Sequence, residues 1–359
     1  MRLNMKIYEK ALNVIKEKGA DAVLILNRYN MRYITGYTGD TGIVYLSDKT
    51  KAILTDFRYI YQVQDQAKEF QAIDIAKSGY AKTVAELAKK DGIHILLFEA
   101  NEMIYSSYER YQKELKGIDL VSIGSELEEL RMIKTPEELE NIKMAEHIGD
   151  LAFSEILDFI HPGVTELEVA AKLEYTMKLK GAEGLSFSSI VASGVNSSLP
   201  HAVPSKKKIE QGDFVTMDFG CIYNGYCSDM TRTIVVGTAS QKQKEIYSTV
   251  LKAQLAVLSQ IKAGMKGKEI DKIARDIISE AGYGDCFGHG LGHSVGLFIH
   301  EMPRASMAEE RIVTAGMTMT VEPGIYIKDF GGVRIEDLVA ITESGCENFA
   351  HSKKELIEI

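Results

Sequence analysis

Proline is scarce in this chain, 6 in 359 residues, and cysteine is scarcer: Cys221, Cys227, Cys286 and Cys346, with no pair at CxxC spacing. That spacing argues against a cysteine zinc clip and a CxxC redox pair, leaving buried free thiols of the kind found in reducing compartments. No apolar run approaches the ~20 residues needed to span a bilayer, and the first residues lack the apolar core of a secretory signal. No membrane association is therefore expected, and a cytoplasmic location is. Nor is there an excess of positive charge: 42 Lys and Arg stand against 51 Asp and Glu, for a net charge of −9, with the two signs interspersed. A nucleic-acid surface needs a basic face, so nucleic acid is not an expected partner.

What the chain does have is the composition of a folded globular protein, 45% hydrophobic and 26% charged. Its length exceeds the ~250–300 residues at which one core stops growing, which predicts two domains. Apolar residues at Leu3, Ile7, Ala11, Val14 and Ile15 have helical spacing, and Gly19 ends that helix. Short apolar runs follow at Ala22 to Leu26, Ile43 to Leu46 and Ala52 to Leu54, and helix-like and strand-like stretches then alternate through Val121. An α/β domain over 1–125 is expected, followed by a polar, acidic linker at 126–134 and a second domain over 135–359.

The second domain opens with Thr135-Pro136-Glu137-Glu138, an N-cap threonine with proline at N1 and glutamate at N3. A long helix should run from there to His161-Pro162-Gly163. Thr165 with Glu168 and Ser240 with Gln243 mark two more helix starts, and Lys268 to Ala281 a fourth helix. The second half also repeats itself. Ile160-His-Pro-Gly163 with Glu168 and Gly181 matches Ile261-Lys-Ala-Gly264 with Glu269 and Gly282 at an offset of 101, and Thr216-Met-Asp218 matches Thr320-Val-Glu322 at 104. A duplication would make Asp218 and Glu322 equivalent, one carboxylate from each half at a shared centre.

Asn224-Gly225 between two β-rich runs is a strong hairpin signal. A two-residue turn there sets residue 218 opposite 231, which leaves Asp218 and Asp229 diagonal neighbours about 7–8 Å apart on one face. Two carboxylates so placed either share a cation or repel until one takes up a proton. Phe287-Gly-His289-Gly-Leu-Gly-His293-Ser is too glycine-rich for a helical histidine pair, and His300 follows closely, so three of the chain's eight histidines fall within twelve residues. Glu322 and Glu336 sit in apolar surroundings where an unpaired carboxylate is unfavourable. Asp218, Asp229, His293, Glu322 and Glu336 together offer four carboxylates and an imidazole, a set suited to Mn²⁺, Co²⁺, Fe²⁺ or Zn²⁺. Two such ions about 3.5–4 Å apart could bridge a hydroxide and clamp a developing oxyanion, which is hydrolytic chemistry.

These residues, in this order, resemble the ligands of the pita-bread metallopeptidases, and within them the Xaa-Pro aminopeptidase and prolidase branch. The resemblance spans essentially the whole chain and includes Leu199-Pro200-His201, Gly288-His289-Gly290, Ile299-His300-Glu301 and Glu322-Pro323-Gly324. It implies an α+β pita-bread catalytic domain with an internal pseudo-twofold repeat, behind an α/β creatinase-like N-terminal domain. For the latter, Thr35-Gly-Tyr-Thr-Gly39-Asp-Thr-Gly42 and Leu54-Thr-Asp56-Phe-Arg58 look closer to the aminopeptidase P version. It implies further that Asp218 chelates one metal, His293 and Glu322 the other, and that Asp229 and Glu336 bridge.

By the same resemblance Glu322 relays a proton, His300 stabilises the oxyanion, His201 and His289 line the proline pocket, and Arg334 and Tyr326 orient Asp229. Two divalent ions, manganese foremost, short proline-containing peptides as substrates and a homodimer complete the expectation. A Xaa-Pro aminopeptidase is the leading reading and a prolidase the alternative. A non-catalytic pita-bread module and metal-free creatinase are both disfavoured by the complete ligand set, and methionine aminopeptidase by the extra N-terminal domain.

Overall fold

The computed structural model describes residues 6–359, and the chain divides into two units, Met1–Arg131 and Met132–Ile359. In the first unit α1 (Ile7–Glu17) is the expected first helix, Leu3 lying outside the described residues. There follow β1 (Ala22–Ile25), α2 (Arg28–Thr35), β2 (Ile43–Ser47), β3 (Lys51–Thr55), α3 (Ile60–Gln66), β4 (Gln71–Asp74), α4 (Gly79–Asp91), β5 (Ile95–Glu99), α5 (Tyr105–Glu114), β6 (Asp119–Ile123) and α6 (Glu126–Glu129). The strands form one six-stranded sheet in the order β4-β3-β2-β1-β5-β6, antiparallel at β1–β2 and β2–β3 and parallel elsewhere.

Alternation along the strands feeds two cores. Val23, Ile25 and Leu46 pack with Ile15 of α1, Met31 of α2 and Val63 of α3, whereas Leu24, Tyr45 and Leu54 pack with Val84 of α4 and Tyr111 of α5. Helices on both faces are why these strands read as unbroken apolar runs. The stretch expected as a linker begins with α6, because Leu127 is buried in the first of these cores.

The second unit begins as its capping box dictates. The Thr135 hydroxyl accepts from the Glu138 N–H (3.3 Å) and the Glu138 carboxylate from the Thr135 N–H (2.7 Å), starting α7 (Pro136–Ile156). This helix stops five residues short of His161, in a turn that leads to α8 (Glu166–Leu179). Then come β7 (Gly184–Leu185), β8 (Ile190–Ser193), β9 (Phe214–Phe219), β10 (Cys221–Tyr223), β11 (Tyr226–Cys227), β12 (Met230–Val235), α9 (Gln241–Leu258) and α10 (Gly267–Glu280). The chain ends with β13 (Gly292–Ser294), β14 (Glu301–Ala305), β15 (Thr318–Val321), β16 (Gly324–Ile327), β17 (Gly331–Arg334), β18 (Asp337–Ile341) and β19 (Cys346–Asn348).

The repeat seen in the sequence is built into this unit. Gly163 (φ 97°) donates its N–H to Ile209, and Gly264 (φ 92°) donates to Val313. Helices α7 and α8 pack on Met217 and Phe219 of β9 through Phe153 and Leu173; α9 and α10 pack on Met319 and Val321 of β15 through Val250 and Ile270. In each half the strand residues between the apolar ones, Thr216 and Asp218 in one and Thr318 and Thr320 in the other, are turned away from the helices. The two halves thereby aim equivalent polar faces at common ground.

Candidate metal centre

The hairpin that carries the aspartates turns at Asn224 (φ 47°) and Gly225 (φ 82°), the two positive φ angles of a type I′ turn. Its register sets Asp218 opposite Thr231 and Ile222 opposite Cys227. The pairing breaks between these points, where a Cβ on Gly220 would collide with the Ser228 carbonyl oxygen. That close approach leaves Asp229 outside the regular strand, beside Asp218.

Carboxylate oxygens of Asp218, Asp229 and Glu336 lie within 4.8 Å of one another. Glu336, between β17 and β18, is fixed by Thr231: its N–H donates to the Thr231 carbonyl (3.1 Å) and the Thr231 hydroxyl donates to Oε2 (2.6 Å). Glu322 follows β15, and the Thr320 hydroxyl donates to its Oε1 (3.1 Å) while accepting from the His293 N–H (3.0 Å). His293 Nε2 stands 3.5 Å from Asp229 Oδ2 and 3.6 Å from Glu322 Oε1. Its Nδ1 faces the Ser294 carbonyl at 3.1 Å, and a carbonyl only accepts, so Nδ1 carries the proton and Nε2 presents a lone pair to two carboxylates.

Electrostatically this is a site that asks for a cation. Burial pushes the Glu322 carboxyl up to about 8. Burial, and then repulsion from neighbouring carboxylates, holds Asp229 and Glu336 well above the usual carboxylate range. Burial pushes His293 and His289 down to about 4, so both rings are neutral at pH 7. The buried Asp218 Oδ1 has no hydrogen-bond partner among the described residues. Clustered carboxylates, an orphaned oxygen and an imidazole lone pair fit divalent ions with oxygen and nitrogen ligands.

Arg334 requires a correction. It was expected to orient Asp229, but its Nη2 donates to Asp218 Oδ2 at 2.6 Å. The register explains this: Arg334 Nε donates to the Thr231 hydroxyl (3.1 Å), and Thr231 faces Asp218, whereas Asp229 lies two residues further on. The Asp229 N–H instead donates to Glu146 of α7 (3.2 Å). Tyr326 likewise serves a different neighbour. Its hydroxyl accepts from Arg334 Nη1 (2.7 Å) and donates to His289 Nε2 (2.9 Å), because His289 Nδ1–H is spent on the Gly290 carbonyl.

Asp218, Asp229, His293, Glu322 and Glu336 line a single cavity of about 550 Å³ together with His201, His289, His300 and Arg334. The rings of His293 and His300 meet edge to face with centroids 4.6 Å apart. Of the expected site residues only Tyr326 does not line this cavity; it supports it from behind. Sequence reading missed Thr231, Thr320, Glu146 and Arg304. The repeat could have flagged Thr320, which precedes Glu322 by two residues as Thr216 precedes Asp218.

Tandem helix-on-strand halves that converge on buried carboxylates and one neutral imidazole define a metal-dependent hydrolase. The chain belongs to metallopeptidase family M24, which residues 140–343 match, while residues 8–133 match the creatinase/prolidase N-terminal domain. It is 42% identical over 350 residues to a Xaa-Pro dipeptidase from Pyrococcus furiosus, covering 97% of this chain and 99% of the relative. Among solved structures it superposes on a Xaa-Pro dipeptidase from Bacillus anthracis with a TM-score of 0.96, at 45% identity and 99% coverage of both chains. An X-Pro aminopeptidase from Thermotoga maritima follows with a TM-score of 0.91, at 36% identity and covering 98% of this chain and 99% of that one. The expected creatinase-like and pita-bread architecture is therefore the one observed.

Proposed function

We propose that this peptidase hydrolyses the bond preceding proline in Xaa-Pro dipeptides, with two divalent ions held by Asp218, Asp229, His293, Glu322 and Glu336. The observation that carries the reading is the convergence of these five residues with His201, His289 and His300 in one cavity. Asp218 would help hold one ion and His293 with Glu322 the other, while Asp229 and Glu336 would be available to the pair. When bound, the ions supply Lewis acidity and an activated water at neutral pH. Glu322 moves the proton from the attacking water to the departing proline nitrogen. His300 donates to the oxygen on which charge develops, and His201 and His289 wall the proline ring, His289 being locked in place by Tyr326. Arg334 holds Asp218 in its liganding orientation.

Arg304 favours the dipeptide over the longer substrates of an aminopeptidase. It lines the cavity, makes no hydrogen bond or ion pair among the described residues, and its charge helps depress His300 and His293. A solvent-exposed guanidinium on the wall of a substrate cavity, unpaired among the described residues, is placed to meet a carboxylate. In Xaa-Pro that carboxylate belongs to the proline itself; in Xaa-Pro-Yaa it lies a residue further out. The Xaa-Pro dipeptidase relatives support the same choice.

Manganese is the ion we favour, on the hardness of a mainly carboxylate donor set. The cytoplasm is the proposed compartment, supported by four unbridged cysteines. A homodimer is proposed on the family resemblance alone. No helix among the described residues is long and apolar enough to cross a membrane.

The test sets manganese-loaded protein against Xaa-Pro and Xaa-Pro-Yaa. The dipeptide is expected to be cleaved faster, and Arg304→Ala to raise its KM about 10-fold, the loss of one charge-assisted contact, with kcat little changed. Equal cleavage of the tripeptide restores the aminopeptidase reading. Failure to cleave either with both ions bound sinks the two together.

A further inference from the structure

Behind the cavity, and outside the residues assigned so far, lies a buried ion pair. Lys134 Nζ is 3.1 Å from Glu301 Oε2, with the two side chains only 1% and 4% exposed. All three ammonium protons are committed: to Glu301, to the Ser294 hydroxyl (3.1 Å) and to the Met132 carbonyl (3.3 Å). The second carboxylate oxygen of Glu301 accepts from the Phe298 N–H (3.1 Å). A buried pair of this kind is a poor source of net stability, because desolvation offsets most of its attraction. What it does well is hold particular atoms in one arrangement.

The atoms it holds are telling. Ser294 and Glu301 face each other across β13 and β14 and close the loop between them. His293 immediately precedes one anchor and His300 the other. The loop is wrapped so tightly that a Cβ on Gly296 would run into the Glu301 carboxylate, while the Gly296 carbonyl accepts from the Cys227 N–H (2.8 Å). Ser294 is tied further to the Thr318 hydroxyl (2.8 Å). One ammonium group thus grips both ends of the segment that joins a metal-ligand histidine to the histidine facing the substrate.

We infer that Lys134 and Glu301 are positioning residues that set His300 against His293, and so place the His300 ring for the transition state. The inference rests on the function proposed above. Neither side chain lines the cavity, so the pair acts through the loop. Its loss lowers turnover while substrate binding and metal content persist.

Three variants test this: Lys134→Met, Glu301→Gln, which keeps shape and an acceptor for Phe298, and the double Lys134→Met/Glu301→Leu, which fills the space with apolar atoms. Each is assayed for kcat and KM on a Xaa-Pro dipeptide, for metal content and for Tm. The imidazole NMR signals of the metal-free protein are followed alongside. A displacement of about 1 Å at a catalytic group can lower kcat by about 100-fold, so a fall of at least about 10-fold at nearly constant KM is expected. In the double variant Tm is expected to recover while kcat stays low and the His300 signal stays displaced. A double variant whose kcat returns to within about twofold of wild type reduces the pair to a structural role and overturns the inference. So does a Glu301→Gln protein with unchanged kcat and an unmoved His300 signal. Inactive wild-type protein with both ions bound would instead count against the parent reading.

Discussion

Removing the metals should make the stability of this protein fall with rising pH, because the carboxylates that gather to bind a cation must otherwise face one another. Glu322 has its carboxyl pushed up to about 8, against an ordinary value of 4.5. A group whose folded-state pKa is raised contributes stability that is complete below its unfolded value and is lost as pH climbs through the folded one. Between pH 7 and 8 Glu322 alone therefore removes about 1 kcal/mol from the chelated protein. Asp229, Glu336 and Glu146, all raised well above the usual range, act in the same direction.

The window excludes the opposing histidines. His289 and His293 are pushed down to about 4, so their contribution grows only up to the unfolded histidine value and is flat above pH 7. For a unit the size of Met132–Ile359, about 1 kcal/mol corresponds to about 2–4 °C in Tm. Calorimetric melts in EDTA at pH 7 and pH 8 should show a fall of at least that size. Manganese-loaded protein should show none, since bound carboxylates are anionic and protons compete less as pH rises. A chelated protein whose Tm is flat or rises over this interval would refute the account of the cluster as an unneutralised cation site.

Arg334→Met removes the hydrogen-bond partner of Asp218 Oδ2 and leaves the Thr231–Glu336 bond in place; metal affinity measured by calorimetric titration should fall about 10–100-fold. Unchanged affinity would mean that Asp218 needs no such support. Glu322→Gln keeps the shape of the side chain but cannot carry the proton, so kcat should drop by at least about 100-fold with the melt retained. Asp229→Ala should lose metal along with activity, as elemental analysis would reveal. Wild-type turnover in either variant contradicts the assigned roles.

How much was legible beforehand follows the range over which each pattern acts. Capping boxes at Thr135, Thr165 and Ser240 involve residues three apart, and all three form. The register of the aspartate hairpin depends on one two-residue turn and was readable to the residue. The eight-residue α2 was missed, because it is polar and its start signal is a single Asn27 that caps the N–H groups of Tyr29 and Asn30. Acidity suggested a linker at 126–134, and one buried leucine made part of it a helix instead.

By itself, then, the sequence determined the identity of the candidate ligands, the strands and turns that carry them and the duplication that pairs Asp218 with Glu322. All of these are encoded in spacing along the chain. Tertiary structure alone decided that Arg334 grips Asp218 and not Asp229, that Thr231 and Thr320 hold Glu336 and Glu322, that Arg304 lines the cavity with no partner among the described residues and that Lys134 reaches Glu301. Those relations join residues tens to more than a hundred positions apart, or turn on where a side chain points. They depend on how packed halves bring side chains within hydrogen-bond reach, a matter of a few tenths of an ångström that no local pattern specifies.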